Sequence, residues 1–317
     1  MKETALLLLL AVGSLAAKAQ IPQPDPDTTA QHFLIVASIG NLQEVSASQL
    51  AVQKAKRSEV RMFGEMMVKE HDESEQQLVA LTKRRGIMLP TAATGGIQPD
   101  IALKNAGGNF DELYVHGMVS AHGAAVQSFA AYAINGKDPA VKAWAKQMLP
   151  KLKTHHDYIS TLEKVINQHL GFINVSSSAF IEGGMIPAKY SCEGSQASPP
   201  LNFKGIPANA KSLAIIVHDP DAPKAGGVTH WVVWNIPVAS QISENFKGGV
   251  QGQNSDQQPG YMGMCPPDGT HRYNFFVYAL DSQLSLDKSA DQAALEKAMK
   301  GHILAEGVLT GLYMKSK

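Results

Sequence analysis

Cysteine is almost absent from this 317-residue chain. Only Cys192 and Cys265 occur, about 73 positions apart, with neither the CxxC spacing of a redox motif nor the spacing of a zinc ligand set. Charge of one sign is missing too. The 28 basic and 28 acidic residues cancel, and no block of like charge stands out. A basic face for nucleic acid is therefore not expected. No apolar run approaches the roughly 20 residues needed to cross a bilayer, and no internal repeat is visible.

The longest apolar run, Ala5 to Leu15, follows Lys2 and precedes Ala17-Lys18-Ala19. That order reads as an export signal over residues 1–19, cleaved after Ala19, with no nearby cysteine for a lipid anchor. The expected mature protein begins at Gln20, has no transmembrane segment and is periplasmic. In an oxidising compartment two lone cysteines in one domain more often bridge than not. The alternative is two free thiols. A bridge would close a long loop and add roughly 4 kcal/mol by chain entropy.

Residues 20–27, with Pro22, Pro24 and Pro26, read as an extended leader. A helical period follows over residues 28–170. Four helices are expected, at Thr29 to Arg57, Ser58 to Arg85, Asn109 to Ile134 and Asp138 to Leu170, with short, long and short connections. The architecture implied is a four-helix bundle. Residues 171–177 read as a linker whose serines give it freedom, and residues 178–317 as a second, mainly-β domain. Within it, Asp291 to Gly307 reads as a helix.

Each of three bundle helices carries one histidine in its apolar stripe: His71 near Phe63, Met67 and Leu78, His122 near Met118 and Phe129, and His155 near Leu152 and Ile159. On the first helix Glu44 lies among Ala37, Gly40, Ala47 and Ala51. Counted from their turns at about 1.5 Å per residue, all four sit roughly 20 to 27 Å away, near mid-bundle. A single histidine on such a face is usually a satisfied core residue. Four polar groups at one level leave two readings, a buried Glu–His network or a mononuclear zinc, copper or iron site. A di-iron carboxylate site is excluded, because Val68 and Val119 stand where Glu-x-x-His requires glutamate.

In the second domain His218-Asp219-Pro220-Asp221-Ala222-Pro223 and Thr229-His230-Trp231 pair with Cys265-Pro266-Pro267-Asp268-Gly269-Thr270-His271-Arg272-Tyr273. Each sits at the end of an apolar strand-like run, beside prolines that stiffen the loops. Taken singly, Asp219 and Asp221 read as turn caps. Together, two carboxylates, two imidazoles, a guanidinium and a phenol suit capture of a small oxyanion.

With Ile186-Pro187-Ala188-Lys189-Tyr190, Ser198-Pro199-Pro200-Leu201 and Gly301-His302-Ile303-Leu304-Ala305, these strings resemble the bacterial branch of the phosphatidylethanolamine-binding, or Raf kinase inhibitor-like, family. The resemblance implies a central antiparallel sheet packed on a smaller one. It also implies an anion pocket of Asp219, His230, Pro267, His271 and Tyr273, with Asp221 and Arg272 supporting the loops. Met262 and Met264 depart from the relatives' pattern and are expected at the rim. The bundle strings Asn41-Leu42-Gln43-Glu44-Val45, Met67-Val68-Lys69-Glu70-His71, Phe110-Asp111-Glu112-Leu113-Tyr114-Val115 and Leu149-Pro150-Lys151-Leu152 resemble an exported bacterial ferritin-like family of unknown function.

The expected function is binding of a small anionic ligand or phospholipid headgroup, with kinase or protease inhibition implied by the resemblance. No Ser or Cys stands evidently paired with a histidine as an activated nucleophile. The alternatives are a periplasmic hydrolase using Asp219, His230 and His271, and metal storage or sensing by the bundle.

Overall fold

The computed structural model describes residues 28–90 and 100–316. The expected signal segment and leader lie outside the described residues. Helices α1 (Thr28–Lys54), α2 (Ser58–Lys83), α4 (Phe110–Asn135) and α5 (Pro139–Asn167) form the bundle. The first ends three residues earlier than expected. Asp111 accepts the backbone N–H groups of Lys56 and Arg57 at 3.1 and 2.8 Å, which fixes the turn there. A short α3 (Ile101–Asn105), capped by Asp100, interrupts the long connection. At the head of α5, Asp138 accepts from the N–H groups of Ala140 and Val141, and Pro139 takes the first helical position.

The bundle core is divided in two. Phe63, Met67, Tyr114, Met118, Ile159 and Leu162 belong to one apolar cluster, and Phe33, Leu34, Leu78, Phe129, Trp144 and Leu152 to another. Glu44, His71, His122 and His155 lie between them in sequence along every helix, so the polar level separates two apolar ones.

The second half is a six-stranded sheet in the order β1-β9-β8-β4-β5-β7, backed by a three-stranded sheet in the order β2-β3-β6. Its long strands are β4 (Ser212–Asp219), β5 (Val228–Ile236), β8 (His271–Leu280) and β9 (Ile303–Tyr313). β1 (Gly171–Phe172) pairs parallel with β9, and the other strand-to-strand pairings among the described residues are antiparallel. The short strands are β2 (Asn174–Ser176), β3 (Leu201–Lys204), β6 (Gln241–Ile242) and β7 (Val250–Gln251).

Two expectations are corrected here. The stretch 171–177 is not a free linker, because β1 and β2 lie within it and hydrogen-bond into separate sheets. The segment Asp291 to Gly307 is helical only over α6 (Gln292–Met299), and β9 begins at Ile303 as a central strand. Its glycines serve close packing. A Cβ on Gly307 would lie 1.8 Å from the Ile173 carbonyl oxygen, and one on Gly311 2.5 Å from Ile186. His302 is half-exposed and pairs with Asp281 at 2.8 Å.

The two faces of the large sheet follow the period-two rule. Odd-numbered β8 residues Tyr273, Phe275 and Val277 pack between the sheets. Even-numbered Arg272 and Asn274 meet α5, donating to Asp157 on that helix. Arg272 also donates to Asp221 from Nε at 2.8 Å and Nη2 at 3.1 Å, and Lys153 donates to the same carboxylate at 2.6 Å. Farther along, Lys164 of α5 meets Glu306 of β9 at 2.5 Å. The bundle is thus docked onto the sheet through buried and half-buried charge pairs.

Candidate functional sites

At the end of the inner sheet face four buried side chains converge. Asp219, His230, His271 and Tyr273 are all under 6% exposed. Asp219 ends β4. One carboxylate oxygen accepts the N–H groups of Asp221 and Ala222 at 2.9 and 3.0 Å, holding the Asp-Pro-Asp turn. The other accepts His271 Nδ1–H at 2.8 Å. A carboxylate can only accept, so His271 carries a proton on Nδ1 and leaves Nε2 to the site.

His230 reaches the inner face through a bulge. The β4–β5 register runs from Val217 opposite Trp231 to His218 opposite Thr229, leaving His230 as the extra residue. Thr229 bonds outward to Gln292 of α6 at 2.5 Å while Trp231 stays in the inner core. The bulge turns His230 toward Tyr273, with ring centroids 5.1 Å apart and edge to face. Its Nδ1–H donates to the Met262 carbonyl at 3.0 Å, so in the neutral ring Nε2 carries the lone pair. Burial pushes the His230 imidazole below its ordinary pKa. The Tyr273 hydroxyl lies buried beside Asp219 without a well-directed hydrogen bond, and burial and that charge raise its pKa.

Of the other residues expected here, Pro267 is exposed on the loop before His271. Asp221 and Arg272 support the loop, but both side chains turn to α5 rather than to the His230–Tyr273 cluster. Arg272 and Lys153 hold the Asp221 carboxyl well below the usual range. Met264 is fully buried, not at the rim, and Met262 contributes its carbonyl. Cys192 and Cys265 are bridged, with Cα atoms 5.4 Å apart, tying the loop ahead of Pro266 to the segment after Tyr190.

The bundle brings all four of its expected residues together. His71 Nε2 stands 3.1 Å and His122 Nε2 3.5 Å from the same Glu44 oxygen. One ring nitrogen from each of His71, His122 and His155 lies within 4.8 Å of the others. Each outer nitrogen has a partner. His71 Nδ1 meets Asn41 Oδ1 at 2.9 Å, His122 Nδ1 the Met118 carbonyl at 3.1 Å, and His155 Nε2 a Glu70 oxygen at 2.8 Å. Burial pushes all three imidazoles down to about 4 and raises Glu44. Asn41 and Glu70 were not singled out in the sequence. Glu70 directly precedes His71 and sits at the stripe's edge, where a glutamate reads as solvent-facing.

A two-sheet sandwich with a buried Asp–His–His–Tyr cluster at its end defines a ligand-binding class, and residues 176–314 match the family model described as phosphatidylethanolamine-binding protein. The chain belongs to that family. Residues 15–162 match a domain of unknown function, DUF4142. A UPF0098 protein of Methanothermobacter thermautotrophicus is 46% identical over 151 residues, covering 45% of this chain and 99% of that protein. A solved phosphatidylethanolamine-binding protein homolog from Chlamydia trachomatis is 44% identical, covering 46% of this chain and 99% of its own, with a TM-score of 0.44. Escherichia coli YbcL, titled a new member of the mammalian family, is 30% identical with a TM-score of 0.43, covering 45% of this chain and 99% of its own.

Among the described residues no helix is long and apolar enough to cross a membrane.

Proposed function

We infer that the Asp219–His230–His271–Tyr273 cluster binds a small phosphate oxyanion, such as inorganic phosphate or a phospholipid headgroup. One observation carries this reading: two imidazoles with fixed outer hydrogen bonds and an under-used phenol hydroxyl share one buried site. When an anion enters, protonation of His230 at Nε2 converts that imidazole from acceptor to donor, while His271, held through Nδ1 by its 2.8 Å bond to Asp219, turns Nε2 to the same ligand. Burial keeps His230 neutral in the free protein, so binding takes up protons. Affinity therefore rises as pH falls from 8 to 6.

The test is calorimetry with inorganic phosphate and O-phosphoethanolamine at both pH values. His271→Ala and His230→Ala each remove a charge-assisted bond of about 1.5–3 kcal/mol, a loss of roughly 10- to 100-fold in affinity. No binding up to millimolar ligand, or equal binding by both variants, overturns the reading. Steady hydrolysis of a phosphomonoester lost in His271→Ala would place the same residues in a hydrolase. The Cys192–Cys265 bridge supports an oxidising compartment, and with residues 1–19 this favours an exported, periplasmic protein.

A further inference from the structure

We propose that the centre of the bundle holds one divalent first-row transition-metal ion, ligated by Glu44 Oε2, His71 Nε2, His122 Nε2 and His155 Nδ1. These four atoms are buried, and none has a hydrogen-bond partner. Each belongs to a residue at most 8% exposed.

The outer hydrogen bonds decide what the inner atoms are. Asn41 donates from Nδ2 to Ser74 and Glu75 at 3.2 Å, which orients its amide and leaves Oδ1 facing His71. The Met118 carbonyl and the Glu70 carboxylate, which also takes Lys151 at 2.9 Å, are acceptors as well. Each imidazole therefore spends its N–H outward and points a lone pair inward. Three nitrogen lone pairs and a carboxylate oxygen then face one another, with two of these contacts at 3.1 and 3.5 Å.

A proton can bridge only one such pair, and a water molecule can donate to only two of the four. A cation satisfies all four at once. Imidazole nitrogen with a single carboxylate suits zinc, copper, cobalt or iron, whereas calcium and magnesium require mostly oxygen. A carboxylate or carbonyl behind each ligating histidine is the usual support of such ions. Bonds of about 2.0–2.1 Å require the imidazoles to draw slightly inward. Glu44, His71 and His155 also line a cavity of about 660 Å³ whose walls include Phe33, Val36 and Leu113.

The experiment uses the full chain stripped with chelator and titrated with Co²⁺, then Zn²⁺, followed by visible absorption, native mass spectrometry and thermal unfolding. One Co²⁺ per chain is expected, with d–d bands of a low-coordinate nitrogen–oxygen site, lost on adding Zn²⁺, and a rise in unfolding temperature. Glu44→Gln and His122→Asn should abolish the bands. Glu70→Gln, a positioning change away from the ion, should keep the stoichiometry while weakening affinity roughly 10- to 100-fold and shifting the bands. Absence of stoichiometric Co²⁺ and Zn²⁺ binding by the unaltered chain overturns the proposal. So does binding with unchanged spectrum and affinity in Glu70→Gln and Glu44→Gln. The anion pocket is probed by different ligands, so its failure and this one are separable.

Discussion

Arg272→Met tests how the two halves are held together. Arg272 is 8% exposed and bonds Asp221 through two nitrogens and Asp157 through a third. Methionine keeps most of the aliphatic stem and removes the charge with its N–H donors. Asp157 then retains Asn274 Nδ2 at 3.1 Å, and Asp221 retains Lys153 at 2.6 Å. Breaking a buried pair costs about 3–5 kcal/mol. The carboxylates are 12% and 20% exposed and keep these second partners, so the lower end, about 3 kcal/mol, is expected. At about 2–4 °C per kcal/mol for chains of this order, the midpoint falls by about 6–12 °C. Thermal and urea unfolding followed by tryptophan fluorescence read the midpoint and the free energy, with Trp144 in the bundle and Trp231 and Trp234 in the sheet. A companion Asp157→Asn cycle should give a coupling of about 1–2 kcal/mol. A loss below about 0.5 kcal/mol, within the range of ordinary surface substitutions, would refute the claim that these charges hold the halves together.

The Asp221 carboxyl is depressed by Arg272 and Lys153. Its contribution is present above the unfolded carboxylate pKa of about 3.9 and lost as pH falls below it. Thermal unfolding from pH 5 to 2.5 should drop less steeply in Asp221→Asn than in the unaltered chain. Glu182 is the opposite case: burial raises its pKa, and one oxygen has no partner while the other accepts the Thr310 N–H at 3.0 Å. Its contribution is complete below the unfolded pKa and declines as pH rises, so Glu182→Gln should gain about 1 kcal/mol at pH 8 and nothing near pH 3. A denaturation series at both pH values checks this. Opening the Cys192–Cys265 bridge by a double alanine substitution frees a loop of 73 residues and should cost about 4 kcal/mol, read as a lower urea midpoint.

Periodicity alone was enough to place the bundle helices, because each buries one face at 3.6-residue spacing, and rise per residue was enough to put Glu44, His71, His122 and His155 on one level. The loops around Asp219 and His271 were legible for a similar reason: prolines and strand-end polar residues are local signals. The register of strands was not. His230 joins the inner face only because a bulge opposite His218 adds a residue, and that depends on pairing between distant segments. Arg272 and His271 are neighbours in sequence, yet alternation sends one to α5 and the other to Asp219. The strands within 171–177 and the strand from Ile303 looked like linker and helix because their partners lie far along the chain. The amino-acid order by itself determined the two halves, the bridgeable cysteines and the residues with chemistry. Only the tertiary structure decided their partners, through packing that excludes water and leaves each buried lone pair to find a proton or a cation.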